Sequence, residues 1–316
     1  MGLTLALFIF GFCILICGAR FLVRGAVSVA TLLKVSPWFI GVAIVGIGTS
    51  IPELSISISA ALQGNNVGLG AVIGSNTFNL LVILGLLALL TPIYIERHWR
   101  KDIVVNIVVV ALATLIVLLP VIGDASFEGL TRGEGGLLFG LFILWLVFLF
   151  NRKAIPDDGA DYPVLAGFTS FLFIILGFIG VFFGGEWVVD GAEEIAVVFG
   201  VPSAIIGLTI VAIGTSLPEL TVSLVAFLKK QKGIAVGNLI GSNVFDFLGI
   251  LGVTALVKPL PIFESVRIDI FATVAAATAV YVLAFFVGKF GILSRREGAA
   301  LIFAYIAYLL FVFLTM

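Results

Sequence analysis

Long apolar runs separated by short polar joins make up almost the whole chain. A helix needs about 20 mostly apolar residues to cross a bilayer. Ten runs approach or exceed that length: roughly 3–30, 37–62, 69–92, 102–122 and 134–151, then 164–197, 203–228, 235–257, 267–288 and 297–315. The joins, such as Glu96 to Lys101, Gly123 to Gly129 and Lys289 to Arg296, are too short for a separate soluble domain. The pattern predicts an all-α polytopic membrane protein with ten transmembrane helices. The first run is read as a helix, not a leader, because Met1 to Ala19 holds no Lys or Arg and the run has a counterpart later in the chain.

That counterpart belongs to an internal repeat. Residues 41–57 read GVAIVGIGTSIPELSIS and residues 207–223 read GLTIVAIGTSLPELTVS, with 11 of 17 positions identical at an offset of 166. Residues 70–81, GAVIGSNTFNLL, match 237–248, GNLIGSNVFDFL, at 7 of 12 positions and an offset of 167. Weaker likeness aligns Gly18–Gly25 with Gly184–Gly191, Arg100 and Asp102 with Arg267 and Asp269, and Glu134-Gly135 with Glu297-Gly298. The chain therefore divides into two five-helix repeats, 1–151 and 164–316, joined by a linker at 152–163 that contains Pro156, Asp157, Asp158 and Gly159.

An odd number of helices per repeat inserts the second repeat upside down. Alternating the joins between sides puts 14 of the 17 Lys and Arg on one side and 3 on the other. The positive-inside rule makes the richer side cytoplasmic, with the linker there and both termini outside. Arg20 and Arg24 align with Glu186 and Asp190, so matching positions are basic on one face and acidic on the other. Inverted repeats are a feature of secondary transporters, whose sites lie near the bilayer midplane.

Composition narrows the reading further. At 61% hydrophobic, 11% charged and a mean hydropathy of +1.29, the chain is neither a soluble domain nor a disordered one. A net charge of −1 offers nothing to nucleic acid. Cys13 and Cys17, four apart in an apolar run, are expected to be small core residues on one helix face.

The deepest polar residues fall inside the strongest repeats. Glu53 and Glu219 are expected mid-helix in GTS-x-PEL, and Asn79 and Asp246 mid-helix in GSN-x-F-[N/D]. A charged group at that depth costs at least about 2.5–3.5 kcal/mol. None of the 17 Lys and Arg is expected at the same depth, so a mobile cation is the natural counter-charge. Gly46, Thr49, Ser50, Glu53 and Ser57 recur at steps of three and four and share a helix face. Ala212, Thr215, Ser216, Glu219 and Ser223 repeat that face; Ser75, Asn76 and Asn79, and then Ser242, Asn243 and Asp246, form two shorter ones. Pro52 and Pro218 deprive the carbonyls of Gly48 and Gly214 of their helical partners and are expected to kink the helices. All these donors are oxygens, which suits Ca²⁺ or Na⁺ better than Zn²⁺ or Cu⁺. The single histidine, His98, is placed in a charged join facing solvent.

The paired GTS[IL]PEL and G-x-x-IGSN-x-F-[ND] motifs resemble the two alpha-repeats of the calcium/cation antiporter superfamily, most nearly its prokaryotic sodium/calcium exchanger branch. The resemblance covers essentially the whole chain. It implies antiport of Na⁺ against Ca²⁺ by alternating access, with Glu53 and Glu219 as central Ca²⁺ ligands and Asn79 and Asp246 beside them. Thr49, Ser50, Ser75, Thr215, Ser216 and Ser242 match the surrounding hydroxyl positions. Gly46 and Ala212 match positions whose carbonyls serve Na⁺; the family has Ala where this chain has Gly46. It further implies that the first and sixth helices slide across the other eight.

The partners expected are Ca²⁺, Na⁺ and the lipid bilayer of a cell (inner) membrane, with no cofactor, catalytic residue, nucleic acid or obligate protein partner. Coupling to H⁺, or a K⁺-dependent Na⁺/Ca²⁺ exchange, is the alternative. A channel fits less well, because one chain carries both inverted halves. An intramembrane protease fits least, because the serines lack a His or Lys partner within the membrane.

Overall fold

The computed structural model describes residues 2–64, 67–118, 129–151, 164–200, 212–261 and 264–315. Its helices are α1 (Gly2–Leu33), α2 (Pro37–Ile40), α3 (Gly46–Thr49), α4 (Ile51–Gln63), α5 (Val67–Phe78), α6 (Leu84–Leu90), α7 (Arg97–Leu118), α8 (Arg132–Phe150), α9 (Gly167–Val198), α10 (Ala212–Thr215), α11 (Leu217–Leu228), α12 (Lys232–Val244), α13 (Leu251–Val257), α14 (Glu264–Val282) and α15 (Arg295–Thr315). π-turns at Gly41–Val45, Asn79–Ile83, Phe245–Ile250 and Leu283–Val287 interrupt or extend them. Four two-residue strands complete the set: β1 (Ile93–Tyr94), β2 (Gly129–Leu130), β3 (Leu260–Pro261) and β4 (Ile292–Leu293).

Among the described residues, eight helical segments are long and apolar enough to cross a membrane. They fall on eight of the ten predicted runs. The fourth run, 102–122, falls on α7 up to Leu118, and α11 occupies the end of the seventh. Residues 119–122 and 203–211 of those two runs, the linker 152–163 and the side chain of His98 lie outside the described residues.

The chain forms two compact units that interleave the sequence repeats. The first comprises residues 1–52 and 152–241. Here α1 and α9 pack lengthwise and antiparallel, and glycine makes this possible. Gly11, Gly18 and Gly25 recur every seven residues on α1, as do Gly177, Gly184 and Gly191 on α9. A Cβ on Gly18 would stand 2.6 Å from the Val181 backbone nitrogen, and one on Gly25 2.8 Å from the Ser170 carbonyl. Thr4 Oγ1 donates to Glu194 Oε1 (2.6 Å) near one end of the pair. In the same unit, Gly233 and Gly237 of α12 lie against the Trp38 backbone. Cys13 and Cys17 are exposed rather than in the core. Gly11, Leu15 and Gly18 own the packing face of α1, and both cysteines point away from it.

The second unit comprises residues 53–151 and 242–316, and its ends are built twice over. Gly85 of α6 crosses Gly298 of α15, and Gly135 of α8 crosses Gly252 of α13; in each pair a Cβ would meet the partner's carbonyl within 3.1 Å. β1 pairs antiparallel with β4, matching Ile93 to Leu293, and β2 with β3, matching Leu130 to Leu260. Thr131 and Glu134 form a capping box at the start of α8. At the start of α15, Glu297 Oε2 likewise accepts from the Ser294 backbone (2.7 Å). Arg132 caps the Val257 carbonyl (3.4 Å) as Arg295 caps that of Leu90 (3.1 Å). The aligned Glu-Gly pairs thus have a structural use: the Glu closes a helix start and the Gly admits a neighbouring backbone.

These crossings predict a graded response to added methyl groups. Gly18→Ala should lower the melting temperature of the purified chain, by about 1–3 kcal/mol of overpacking, because only backbone stands in the way. Gly140→Ala, where nothing lies within 4 Å, should leave it unchanged. Differential scanning fluorimetry in detergent distinguishes the two.

Candidate functional site

Both GTS-x-PEL motifs break their helices instead of kinking them. The break falls at Ser50 (φ −90°, ψ 8°) and at Ser216 (φ −92°, ψ 5°). New helices start at Ile51 and Leu217 with Pro52 and Pro218 in second position, where a missing N–H costs nothing. The Gly48 carbonyl, deprived of its helical partner, accepts from the Ser50 backbone N–H. Glu53 and Glu219 are therefore in the first turn of a new helix, not mid-helix as the pattern suggested. A helix N-terminus carries partial positive charge and favours a carboxylate there. Each glutamate is 1% exposed.

In the first unit, a hydrogen-bonded cluster surrounds Glu219. Ser50 Oγ donates to Glu219 Oε1 (3.4 Å). Thr49 Oγ1 lies within reach of two acceptors, Asn238 Oδ1 (3.1 Å) and the Gly46 carbonyl (3.3 Å). Asn238 Nδ2 donates to the Glu219 carbonyl (3.3 Å) and to Ser223 Oγ (2.9 Å). Ser223 in turn donates to the Ala235 carbonyl (3.2 Å). Ser216 Oγ is buried and takes part in no hydrogen bond among the described residues. Thr215 ends α10, half-buried, and Ala212 begins it; the side chain of Ala212 lies outside the description. Beside Thr49, a cavity of about 250 Å³ opens between Pro52, Pro218 and the α9 side chains Phe178, Phe182 and Phe183. The Phe178 ring lies directly over Gly48, where any Cβ would collide with it.

The second unit gathers the GSN-x-F residues. Asn76 Nδ2 donates to Asp246 Oδ2 (2.9 Å) and to the Val72 carbonyl (2.6 Å). Asn79 Nδ2 donates to Ser242 Oγ (3.2 Å) and Asn243 Oδ1 (3.4 Å). Ser75 Oγ donates to the Val72 carbonyl (3.0 Å). The amide oxygens Asn76 Oδ1 and Asn79 Oδ1 accept no hydrogen bond among the described residues. Asn79 opens one π-turn, and Asp246 is the second residue of another. Such turns widen the helix locally and are common at functional sites. Glu53 belongs to this unit, as does Ser57, which donates to the Gly68 carbonyl (3.2 Å). That bond is the repeat counterpart of Ser223 to Ala235.

Among the described residues, no three His, Cys, Asp or Glu side chains form one cluster. A cation held here would depend on hydroxyl, amide and carbonyl oxygens as much as on charge. Sequence reasoning placed Asn76 and Asn243 on polar faces without a role, and it passed over Asn238. The signal was present: Asn238 is a polar residue of 237–248 whose repeat counterpart, Ala71, is apolar.

Comparison with known proteins places these observations. The family model described as sodium/calcium exchanger protein matches residues 3–151 and 169–314. The sodium/calcium exchanger MaX1 of Methanosarcina acetivorans is 32% identical, over 96% of this chain and 96% of its own. The inner membrane protein YrbG of Escherichia coli is 33% identical, over 82% of this chain and 81% of its own. A solved structure of the sodium-calcium exchanger NCX_Mj, soaked with Na⁺ and Ca²⁺, superposes with a TM-score of 0.83 at 32% identity, covering 96% of this chain and 97% of that one.

The two Ser-to-carbonyl ties should differ in strength. Ser57→Ala removes one hydrogen bond, worth about 1 kcal/mol. Ser223→Ala also strips Asn238 Nδ2 of an acceptor and should cost about 1–3 kcal/mol. Melting temperatures of the two variants check the order.

Proposed function

The chain belongs to the sodium/calcium exchanger protein family, and from that premise we propose that it is a secondary antiporter in which one oxygen-lined site takes Na⁺ and Ca²⁺ in turn. Glu53, Glu219 and Asp246 supply its charge. Asn79 supplies an amide oxygen, and Thr49, Ser50, Ser75, Thr215, Ser216 and Ser242 supply hydroxyls. The carbonyls of Gly46 and Ala212 complete the set. Ten helices in two inverted repeats, with both termini outside a prokaryotic inner membrane, open this midplane site to each side alternately.

One observation carries the reading. The amide nitrogens of Asn76 and Asn79 are spent on the protein, while their Oδ1 atoms and Ser216 Oγ meet no hydrogen-bond donor among the described residues. A buried acceptor without a donor costs about 1–3 kcal/mol unless something else satisfies it. A cation is what satisfies an oxygen and cannot satisfy a nitrogen donor. Ca²⁺ takes six to eight oxygens in flexible geometry, and Na⁺ is also a hard cation that prefers oxygen.

The test uses purified protein in Na⁺-loaded liposomes, with pH clamped and K⁺ absent. ⁴⁵Ca²⁺ uptake should require the outward Na⁺ gradient and stop when it is collapsed. Uptake that follows an H⁺ gradient, or that needs K⁺ on the Na⁺ side, would replace the coupling ion. Glu53→Gln and Glu219→Gln should each reduce uptake to background while the variants still insert and purify as folded protein. Retained exchange in either variant removes that glutamate from the site.

A further inference from the structure

We infer that Asn238 is a positioning residue that turns the lone pairs of Thr49 toward the ion. The inference deepens the proposed site and rests on Thr49 being one of its ligands. A hydroxyl binds a cation through a lone pair, so its single proton has to be donated elsewhere. Thr49 has two acceptors in reach, Asn238 Oδ1 at 3.1 Å and its own helix's Gly46 carbonyl at 3.3 Å. Donation to Gly46 occupies a lone pair of a second candidate ligand, the Gly46 carbonyl. Donation to Asn238 leaves both available.

Asn238 is suited to that role because its amide is unable to turn over. Its side chain is fully buried. Nδ2 is committed to two acceptors, the Glu219 carbonyl (3.3 Å) and Ser223 Oγ (2.9 Å). Ser223 directs its own proton to the Ala235 carbonyl (3.2 Å), which leaves its oxygen to accept. The chain of donors runs one way, from Asn238 through Ser223 to Ala235, and fixes Oδ1 toward Thr49. A flipped amide would present N–H to Thr49 and occupy the lone pair that the ion needs. The repeat counterpart of Asn238, Ala71, offers no amide, so the two threonines of the repeated motif differ in this respect.

The experiment measures the Ca²⁺ concentration that half-maximally raises the melting temperature of the purified full chain, which does not depend on transport. Thr49→Val and Asn238→Ala should each raise that concentration about tenfold, the value of one oxygen ligand. The double variant should be no worse than about twofold beyond either single one, because both changes remove the same interaction. Asn238→Asp keeps an oxygen toward Thr49 and should restore binding to within about threefold of the parent. Additive losses near a hundredfold, or an unchanged Asn238→Ala, overturn the inference. Should Asn238→Ala fail to fold, adding Thr49→Val to Asn238→Asp decides: the tenfold cost must persist there, and its absence overturns the inference. A parent stabilised by Ca²⁺ that does not exchange it would sink the antiport reading and leave Asn238 standing. Thr49→Val without effect in the parent removes Thr49 from the site and this inference with it.

Discussion

A buried carboxylate has to be compensated by something within a few ångströms, and the local architecture follows from how this chain does so. Glu53 and Glu219 are each 1% exposed. Each is placed just past a helix break, in the first turn of a new helix, so the peptide dipoles of that turn face it. The break requires a residue in the sparsely allowed bridge region followed by a proline that needs no N–H, and Ser-x-Pro supplies both. Part of the cost is met by backbone, and at Glu219 the Ser50 hydroxyl meets more of it. In the proposed antiporter, the transported cation would supply the positive charge beside Glu53 and Glu219.

Backbone proximity is the second constraint. With lipid outside, the hydrophobic effect no longer drives helices together, and close van der Waals contact replaces it. Glycine supplies that contact along α1 and α9, between α2 and α12, and at the crossings of Gly85 with Gly298 and Gly135 with Gly252. Each crossing in the second unit recurs at the repeat-related position. A glycine in these helices has little to do with flexibility; it removes the side chain that would hold two backbones apart.

Much of this was legible in the sequence. Among the described residues, eight of the ten apolar runs appear as long apolar helices, and the repeat alignment anticipates paired features down to Glu134 and Glu297. Polar faces at steps of three and four brought Asn76 to Asp246 and Ser50 to Glu219. What periodicity did not contain was how the helix path is interrupted. A proline in an apolar run reads equally as a kink or as the second residue of a fresh helix, and only the backbone angles of Ser50 and Ser216 decide. Asn238 was missed for a related reason. Repeat alignment highlights what two halves share, and this residue matters through a difference. The cysteines of α1 misled because composition names a preference for burial but does not say which face of a lipid-exposed helix meets protein.

The lengths of α1 and α9 carry a consequence for the surrounding bilayer. Each has 32 residues, or about 48 Å at 1.5 Å per residue, against a hydrocarbon core of about 30 Å. In each helix the first charged residue follows a long neutral stretch, up to Ala19 in α1 and up to Gly185 in α9. Glycine contacts join the two into an antiparallel pair, so neither helix adjusts its tilt alone. Much of the outer surface of the pair is apolar and exposed, including Ile9, Phe10, Phe168 and Phe171. A thinner or thicker membrane would act on this pair as a unit, through hydrophobic mismatch. Lipid chain length would then bear on the helix that packs against Gly48 and Pro218.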